Sequence, residues 1–270
     1  MTGKIKIETV ETENFAMDYF RFGHGDAVLV MLPGISVQSV MGSAAAVAGA
    51  YRPLTDDFTI WLFDRRKDLP PACSIRDMAR DTAAALRTLG LERVNLFGAS
   101  QGGMIAMEIA LGCPELVQKL VLGSTSSRIT EEQYRRFEKW IRFAEEKDAE
   151  GLYLSFGEML YPAELFGQIR GLLTEMAKNV TDEDLRRFII QAESTKGFDI
   201  TDELEKISCP VLVLGSNDDR VLGGEASRLI IERLGSRAEL FMYDGYGHAA
   251  YDTAPDYKDR ILRFLTQRVD

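Results

Sequence analysis

Residues 94–107 have the sequence VNLFGASQGGMIAM, and the fold of the whole chain can be worked out from this stretch. It begins with an apolar run typical of a buried strand, breaks at a glycine-rich turn and continues as an apolar helix. The spacing of Gly98, Ser100 and Gly102 predicts a sharp turn that presents the serine hydroxyl above the sheet. Glycine is expected on both sides of the serine because strand and helix pass too close for a Cβ. The alternative is an ordinary turn in which Ser100 only caps the helix.

The rest of the chain alternates between strand and helix patterns. Apolar or alternating runs predict seven further strands, at residues 4–10, 15–22, 27–32, 59–63, 117–122, 210–215 and 238–243. Helical periodicity appears at residues 75–89, 224–234 and 254–269. Strands that alternate with helices predict an α/β fold, with a mostly parallel central sheet of about eight strands and helices on both faces.

One long segment interrupts this alternation and carries only helical signals. Thr130-x-x-Gln133 is a capping box, and Thr181 is expected to begin a later helix. We therefore predict that residues 1–125 and 205–270 form the core and that residues 126–204 form an inserted helical cap. Its aromatic side chains are candidate substrate contacts, and the alternative is that they only form the core of the insertion. These candidates are Phe137, Trp140, Tyr153, Phe156 and Phe188.

Composition excludes several classes of function. The 270 residues are 46% hydrophobic and carry a net charge of −10 without a separate basic cluster, which disfavours nucleic acid and anionic membranes as partners. No apolar run approaches the ~20 residues of a membrane span, and the first residues do not resemble a signal peptide. Three cysteines without a Cys-x-x-Cys spacing predict reduced thiols in a cytoplasmic protein. With two histidines in the chain, a metal site is not expected.

A serine nucleophile needs a base within hydrogen-bond reach and an acid that orients the base. His248 follows the last predicted strand, where a loop at the carboxyl edge of the sheet can reach Ser100. His24 lies in an early turn, which favours a solvated residue on the opposite side of the sheet. The acid is expected between Ser100 and His248, and Asp218 and Asp219 follow a buried strand there. We favour Asp219, which directly precedes Arg220 in an Asp-basic-Val sequence, and Asp218 is the alternative.

Acyl transfer also requires hydrogen-bond donors for the negative charge that develops on the carbonyl oxygen. The backbone N–H of Gln101, at the start of the predicted helix, is the first candidate. The backbone N–H of Ile35 is the second, because it follows a strand that ends at Pro33-Gly34. The Pro-Gly pair is also consistent with a simple strand-ending turn.

Together these motifs resemble the α/β-hydrolase fold superfamily, in particular its capped, cofactor-independent esterases and lactonases. The resemblance extends from Tyr19 to Leu265, and its motifs match residues 98–103, the loop at Asp219 and the pair Gly247-His248. The chain has Pro33-Gly34 where the family usually has His-Gly, and residues 64–68, Asp-Arg-Arg-Lys-Asp, lack both glycines of the family's Asp-x-Arg-Gly-x-Gly. The segment between the strands at 117–122 and 210–215 is in the position of the family's cap.

The resemblance implies a serine hydrolase that forms an acyl-enzyme on a small or medium apolar ester, thioester or lactone, without a cofactor. Similar triads also perform carbon–carbon hydrolysis, hydroxynitrile cleavage or perhydrolysis, because a fold does not determine one reaction. A ligand sensor with slow turnover is a further alternative. We expect a small-molecule substrate as the partner, and the sequence leaves both a monomer and a homodimer open.

Overall fold

A computed structural model describes residues 5–267 and contains one eight-stranded sheet. The strands, in chain order, are β1 (Ile7–Glu11), β2 (Ala16–Phe22), β3 (Ala27–Leu32), β4 (Phe58–Arg66), β5 (Val94–Ala99), β6 (Val117–Gly123), β7 (Val211–Ser216) and β8 (Ala238–Tyr243). Their spatial order is β1-β2-β4-β3-β5-β6-β7-β8. β2 is antiparallel to both β1 and β4, and all other neighbours are parallel. The predicted strand number and the mostly parallel arrangement are confirmed.

Helices cover both faces of the sheet. They are α1 (Ala44–Ala50), α2 (Ile75–Thr88), α3 (Gln101–Gly112), α4 (Glu131–Glu145), α5 (Ala149–Leu160), α6 (Ala163–Ala177), α7 (Asp182–Glu193), α8 (Gly224–Leu234), α9 (Ala250–Thr253) and α10 (Tyr257–Thr266). Side chains alternate along each strand, so that Val30 joins a core with α2, α3 and α8, whereas Leu29 joins a second core with α1 and α10. Two faces covered by helices explain why the central strands are apolar throughout.

The predicted helical segment between β6 and β7 consists of α4 to α7. Thr130 and Thr181 each cap a helix with a reciprocal capping box, as the sequence predicts. α4 packs against α7 and α5 packs against α6. The apolar face of α6 is partly uncovered, because Leu172 is 61% exposed and Met176 is 37% exposed.

The last helix begins later than predicted. The sequence suggested residues 254–269, whereas α10 begins at Tyr257 and is preceded by the single turn α9. Ala254 is extended (ψ 127°) because it precedes Pro255, whose ring disfavours a helical residue before it. Residues 268 and 269 of the predicted helix lie outside the described residues, as does residue 4 of the first predicted strand. Within residues 5–267, no helix is long and apolar enough to span a membrane.

The strand order produces a crevice at the carboxyl edge of the sheet. The chain leaves β3 toward β4 on one side and then returns to β5 on the other side of β3. Leu32 pairs with Gly98, so β3 and β5 end next to each other. The segments that follow these strands diverge, and ligands of open α/β sheets bind in such crevices.

Candidate active site

Ser100 lies in a strained turn between β5 and α3. Its φ of 52° and ψ of −122° are backbone angles that side-chain-bearing residues rarely adopt. A Cβ at Gly98 would overlap the carbonyl of Gly102, and a Cβ at Gly102 would overlap the carbonyl of Leu32. Glycine is therefore required on both sides of Ser100 because the neighbouring backbone leaves no room for a Cβ, as the sequence predicts. The Thr125 hydroxyl donates to the Ser100 carbonyl at 2.6 Å and holds the turn from β6.

Ser100, His248 and Asp219 form a continuous hydrogen-bonded chain. His248 Nε2 lies 3.0 Å from Ser100 Oγ, and His248 Nδ1 lies 2.8 Å from Asp219 Oδ2. The side chains of His248 and Asp219 are only 2% and 4% exposed. Burial raises the pKa of the Asp219 carboxyl, but His248 and the N–H groups of Val221 and Leu222 outweigh burial and hold this pKa below its usual value. The carboxylate is therefore ionised at neutral pH and accepts the His248 Nδ1–H.

The neighbouring aspartate, Asp218, contacts the histidine loop rather than the histidine ring. It accepts hydrogen bonds from the Ser216 hydroxyl at 2.8 Å and from the N–H groups of Gly245 and Gly247 at 3.0 and 2.9 Å. Burial raises its pKa, but these donors outweigh burial, so the pKa of Asp218 is lowered. Asp218 thus stabilises the turn that precedes His248.

The second histidine is remote from this site. His24 lies at the amino end of β3, whereas Ser100 lies at the carboxyl end of the parallel strand β5. Its side chain is 75% exposed, with Nε2 3.4 Å from the carboxylate of Asp56. The expectation of a solvated turn residue agrees with this position.

Two backbone N–H groups beside Ser100 are available to a ligand. A Cβ on Gly34 would lie 3.1 Å from Ser100 Cβ, so the segment after β3 runs directly against the serine. Within residues 5–267, the N–H groups of Ile35 and Gln101 donate to no other protein group. The Gln101 N–H belongs to the first turn of α3, where N–H groups lack helical partners. Both predicted oxyanion donors are therefore free.

A small cavity of about 20 Å³ adjoins Ser100, and a larger one of about 680 Å³ shares part of its wall. The small cavity is lined by Gly34, Ile35, Ser100, Phe137, Trp140, Phe156, Leu160, Val221, His248 and Tyr251. The larger cavity lies between α5, α6 and residues 35–43, and it shares Ile35, Phe156 and Leu160 with the small one. Leu172 and Met176 line the larger cavity, which explains why this part of α6 is uncovered.

The five candidate aromatic residues divide into three groups. Phe137, Trp140 and Phe156 line the cavity at Ser100. Tyr153 lines the larger cavity, and its hydroxyl donates to Gln38 Oε1 at 2.9 Å. Phe188 is fully buried behind Phe156, with ring centroids 6.0 Å apart, and lines neither cavity. Phe188 is thus corrected from a contact residue to one that supports Phe156.

Sequence reasoning missed three residues of the small cavity: Leu160, Val221 and Tyr251. A signal was present for two of them. Val221 lies two residues after Asp219 in the loop already assigned to the site, and Tyr251 lies in α9, three residues after His248. Leu160 ends α5, and nothing in its sequence context distinguishes it from other leucines of the insertion.

Among the described residues, no Asp, Glu, Lys or Arg side chain lines the small cavity, and the larger cavity has one carboxylate, that of Asp252. Asp252 lines the larger cavity, where the Tyr161 hydroxyl lies 3.4 Å from its carboxylate. Burial raises its pKa to about 6, although Lys258 and the Tyr161 hydroxyl partly offset this. The pair of cavities is therefore suited to a neutral, mostly apolar ligand.

The cysteines lie away from this chemistry. Cys73, Cys113 and Cys209 are free, and burial raises the pKa of Cys73 and Cys209 to about 11. Thiols with such a pKa are protonated at neutral pH and react poorly. Among residues 5–267 there is no cluster of histidine, cysteine and carboxylate side chains that could hold a metal ion.

Comparison with known proteins agrees with the fold. A family model described as "alpha/beta hydrolase fold" matches residues 28–255. The chain therefore belongs to the α/β-hydrolase fold family, and it is a hydrolase of that fold.

Two relatives match most of the chain. It is 30% identical over 236 residues to "Putative carbamate hydrolase RutD" of Rhizobium rhizogenes, covering 84% of this chain and 90% of that protein. A protein of the same name from a Caulobacter species is 30% identical over 236 residues, covering 83% and 87%.

Solved structures share the fold at lower identity. An alpha/beta hydrolase enzyme from a Medee basin deep-sea metagenome library superimposes with a TM-score of 0.87 at 20% identity, covering 97% of this chain and 99% of that one. The enol-lactonase of Burkholderia xenovorans superimposes with a TM-score of 0.83 at 16% identity, covering 96% and 100%.

Proposed function

We propose that this protein is a serine hydrolase that cleaves a neutral, mostly apolar carboxylic ester, thioester or lactone through an acyl-enzyme. One observation carries the proposal: His248 bridges Ser100 Oγ and Asp219 Oδ2 at 3.0 and 2.8 Å, beside an apolar cavity. A serine, a base and an orienting acid in this order supply a nucleophile at neutral pH.

The reaction has two steps, acylation and deacylation of Ser100, and the same groups act in both. His248 Nε2 accepts the Ser100 proton as Oγ attacks the carbonyl carbon, and the N–H groups of Ile35 and Gln101 stabilise the resulting oxyanion. His248 then gives the proton to the leaving alcohol, thiol or ring oxygen. Water, deprotonated by His248, attacks the acyl-enzyme and releases the acid with Ser100 regenerated.

We further propose that residues 126–204 act as a cap that selects the substrate. α4 contributes Phe137 and Trp140 to the small cavity, and α5 contributes Phe156 and Leu160. A volume of about 20 Å³ fits a small group on one side of the scissile bond. The larger apolar part of the substrate then occupies the cavity of about 680 Å³.

Carbamate hydrolysis is the second candidate, since two relatives that match most of this chain carry that name. A neutral carbamate ester presents the same kind of carbonyl carbon to Ser100 and fits an apolar site. A carbamate anion does not, because no Lys or Arg among the described residues lines either cavity and the Asp252 carboxylate faces the larger one. Neutral esters and neutral carbamates therefore remain the two substrate classes that the site favours.

The test compares p-nitrophenyl esters of increasing acyl length with p-nitrophenyl N-alkyl carbamates of matched length, together with fluorophosphonate labelling. We expect the wild type to turn over esters and to be labelled on Ser100. Ser100→Ala and His248→Gln should lose activity by ~10⁴-fold or more. Ser124→Ala and His24→Gln are matched controls, because Ser124 is buried outside both cavities and His24 is at the opposite edge of the sheet.

The outcomes separate the two substrates. Rapid ester turnover with slow carbamate turnover supports the first proposal, and the reverse supports carbamate hydrolysis. A wild type that neither hydrolyses these substrates nor labels on Ser100 refutes both. Labelling without turnover refutes the substrate classes but retains Ser100 as the nucleophile.

A further inference from the structure

A buried arginine connects the two segments that carry the proposed oxyanion donors. Arg65, near the end of β4, is 3% exposed. Its Nη2 donates to the Pro33 carbonyl at 2.7 Å and to Gln101 Oε1 at 3.1 Å. Pro33 lies two residues before Ile35, one of the proposed donor residues, and Gln101 is itself the other. One guanidinium nitrogen therefore bridges both halves of the proposed oxyanion hole.

The same hydrogen-bond chain continues into the helical insertion. Gln101 Nε2 donates to the carbonyl of Gln191 at 2.6 Å and to the hydroxyl of Ser194 at 3.0 Å. Gln101 is 1% exposed, so its amide has no solvent to replace these partners. Because an arginine can only donate, it fixes which end of the Gln101 amide faces Arg65 and which faces α7.

The buried side chain of Arg65 makes the fold less stable than an apolar side chain at the same position would. Among residues 5–267, the buried Nε of Arg65 has no hydrogen-bond partner. Burial lowers the pKa of Arg65 to about 10, and Asp64 opposes that effect, so the side chain stays charged at neutral pH. A buried charge with an unmet donor destabilises the fold, whereas an apolar side chain of similar size would not.

We infer that Arg65 is a positioning residue that holds the oxyanion hole in its reactive geometry, an inference that rests on the proposed function. The Pro33 carbonyl is confined between Arg65 and the backbone of Gly102, where even a Cβ would not fit. This contact fixes the Pro33–Gly34 peptide, which is adjacent to the peptide that carries the Ile35 N–H, while the second hydrogen bond fixes Gln101 at the start of α3. Misplacement of a catalytic group by ~1 Å lowers the rate by about 10²-fold.

A purely structural role is the competing explanation, and Arg187 on α7 provides the control. Its Nη1 donates to the carbonyls of Arg66 and Lys67 at 2.8 and 2.6 Å, and its Nη2 donates to the Arg65 carbonyl at 3.5 Å. Arg187 therefore attaches the backbone at this end of β4 to the insertion without contacting the Arg65 guanidinium's partners. Arg187 makes no hydrogen bond to Pro33 or Gln101 in the described residues. Its loss therefore weakens the attachment without releasing the oxyanion segments.

The experiment measures kcat, KM and the inhibition constant of an aryl trifluoromethyl ketone for Arg65→Met, Arg65→Lys and Arg187→Met. The ketone binds as a tetrahedral adduct, so its affinity reports on the oxyanion hole rather than on substrate binding. For Arg65→Met we expect kcat to fall ~10–100-fold with KM within about 3-fold of wild type, and the ketone affinity to fall by the same factor as kcat/KM. Arg65→Lys should be intermediate, because an ammonium group lacks the guanidinium fork. Arg187→Met should keep kcat within about 3-fold, whatever its melting temperature.

Two results overturn the inference. One is an Arg65→Met enzyme with wild-type kcat and ketone affinity, and the other is an Arg187→Met enzyme that loses kcat as strongly as Arg65→Met. If Arg65→Met does not fold, Gln101→Leu replaces it, since it removes the same bridge and should reproduce the selective loss of kcat and ketone affinity. A wild type without ester or carbamate turnover refutes the proposed function and this inference together, whereas an active wild type with an unaffected Arg65→Met refutes the inference alone.

Discussion

Exchange of Asp219 for asparagine tests the proposed mechanism most directly. The Asp219 carboxylate lies 2.8 Å from His248 Nδ1, and both side chains are almost fully buried. An asparagine amide that donates to Nδ1 forces the ring proton onto Nε2, which then cannot accept the Ser100 proton. In serine proteases this exchange lowers kcat by ~10⁴-fold, which corresponds to about 5.5 kcal/mol of barrier. We expect a loss of similar size for Asp219→Asn.

The matched variant is Asp218→Asn, which changes the adjacent carboxylate. Asp218 accepts from the loop N–H groups of Gly245 and Gly247 but does not touch the His248 ring. Its loss should reduce kcat by no more than ~10-fold, since a retained amide oxygen still accepts part of this network. Both variants are assayed for kcat with p-nitrophenyl acetate, alongside far-UV circular dichroism. An Asp219→Asn enzyme within ten-fold of wild type, or a larger loss for Asp218→Asn, would refute the assignment of the acid.

Further predictions concern stability, specificity and pH. Ser100→Gly should unfold at a higher temperature than Ser100→Ala, because glycine relieves backbone strain of about 1–3 kcal/mol at an entropic cost of about 0.4–1 kcal/mol; equal or reversed melting temperatures contradict this. Phe156→Ala should join the two cavities and shift the preferred acyl chain toward longer esters, and an unchanged chain-length profile argues against it. The stability that Asp219 gains from its lowered pKa is present above pH ~4 and is lost below it, so the melting-temperature gap between wild type and Asp219→Asn should narrow from pH 7 to pH 3. The effect of Asp252 on stability has the opposite sign, because its pKa is raised, to about 6. Its ionisation destabilises the fold above that pH, so Asp252→Asn should raise the melting temperature at pH 8 more than at pH 4.

The part of the site that depends on local spacing could be predicted from the sequence. The turn at Ser100 follows from the glycines on either side of it, and His248 follows from its place after the last strand. The choice between Asp218 and Asp219 was harder, because adjacent residues of one turn differ only in the direction of their side chains. That direction depends on the N–H groups of Gly245 and Gly247, which lie 27 and 29 residues away from Asp218.

Long-range packing explains what the sequence did not reveal. The apolar face of α6 is one such feature, since Leu172 and Met176 face a cavity instead of packing against another element. A hydrophobic period of 3.6 residues identifies the apolar face of a helix but not the element that packs against that face. Residues 64–68 were noted only as a departure from a family pattern. Arginine is rarely buried, so nothing in that short stretch indicated that Arg65 lies beneath the nucleophile turn.

The chain order of the site has a consequence for evolution and engineering. Ser100 precedes the helical insertion, and Asp219 and His248 follow it, whereas much of the cavity wall comes from α4 and α5 within it. The proposed reactive groups are therefore encoded by two stretches of gene that flank a third, and the third encodes much of the proposed selective surface. This third stretch can diverge or be grafted from a homologue while the two flanking stretches are retained. Such a graft must keep the hydrogen bonds between the insertion and the core, among them those of the Gln191 carbonyl and the Ser194 hydroxyl with Gln101. A recombination library that preserves these contacts would sample new specificities on an unaltered reaction centre.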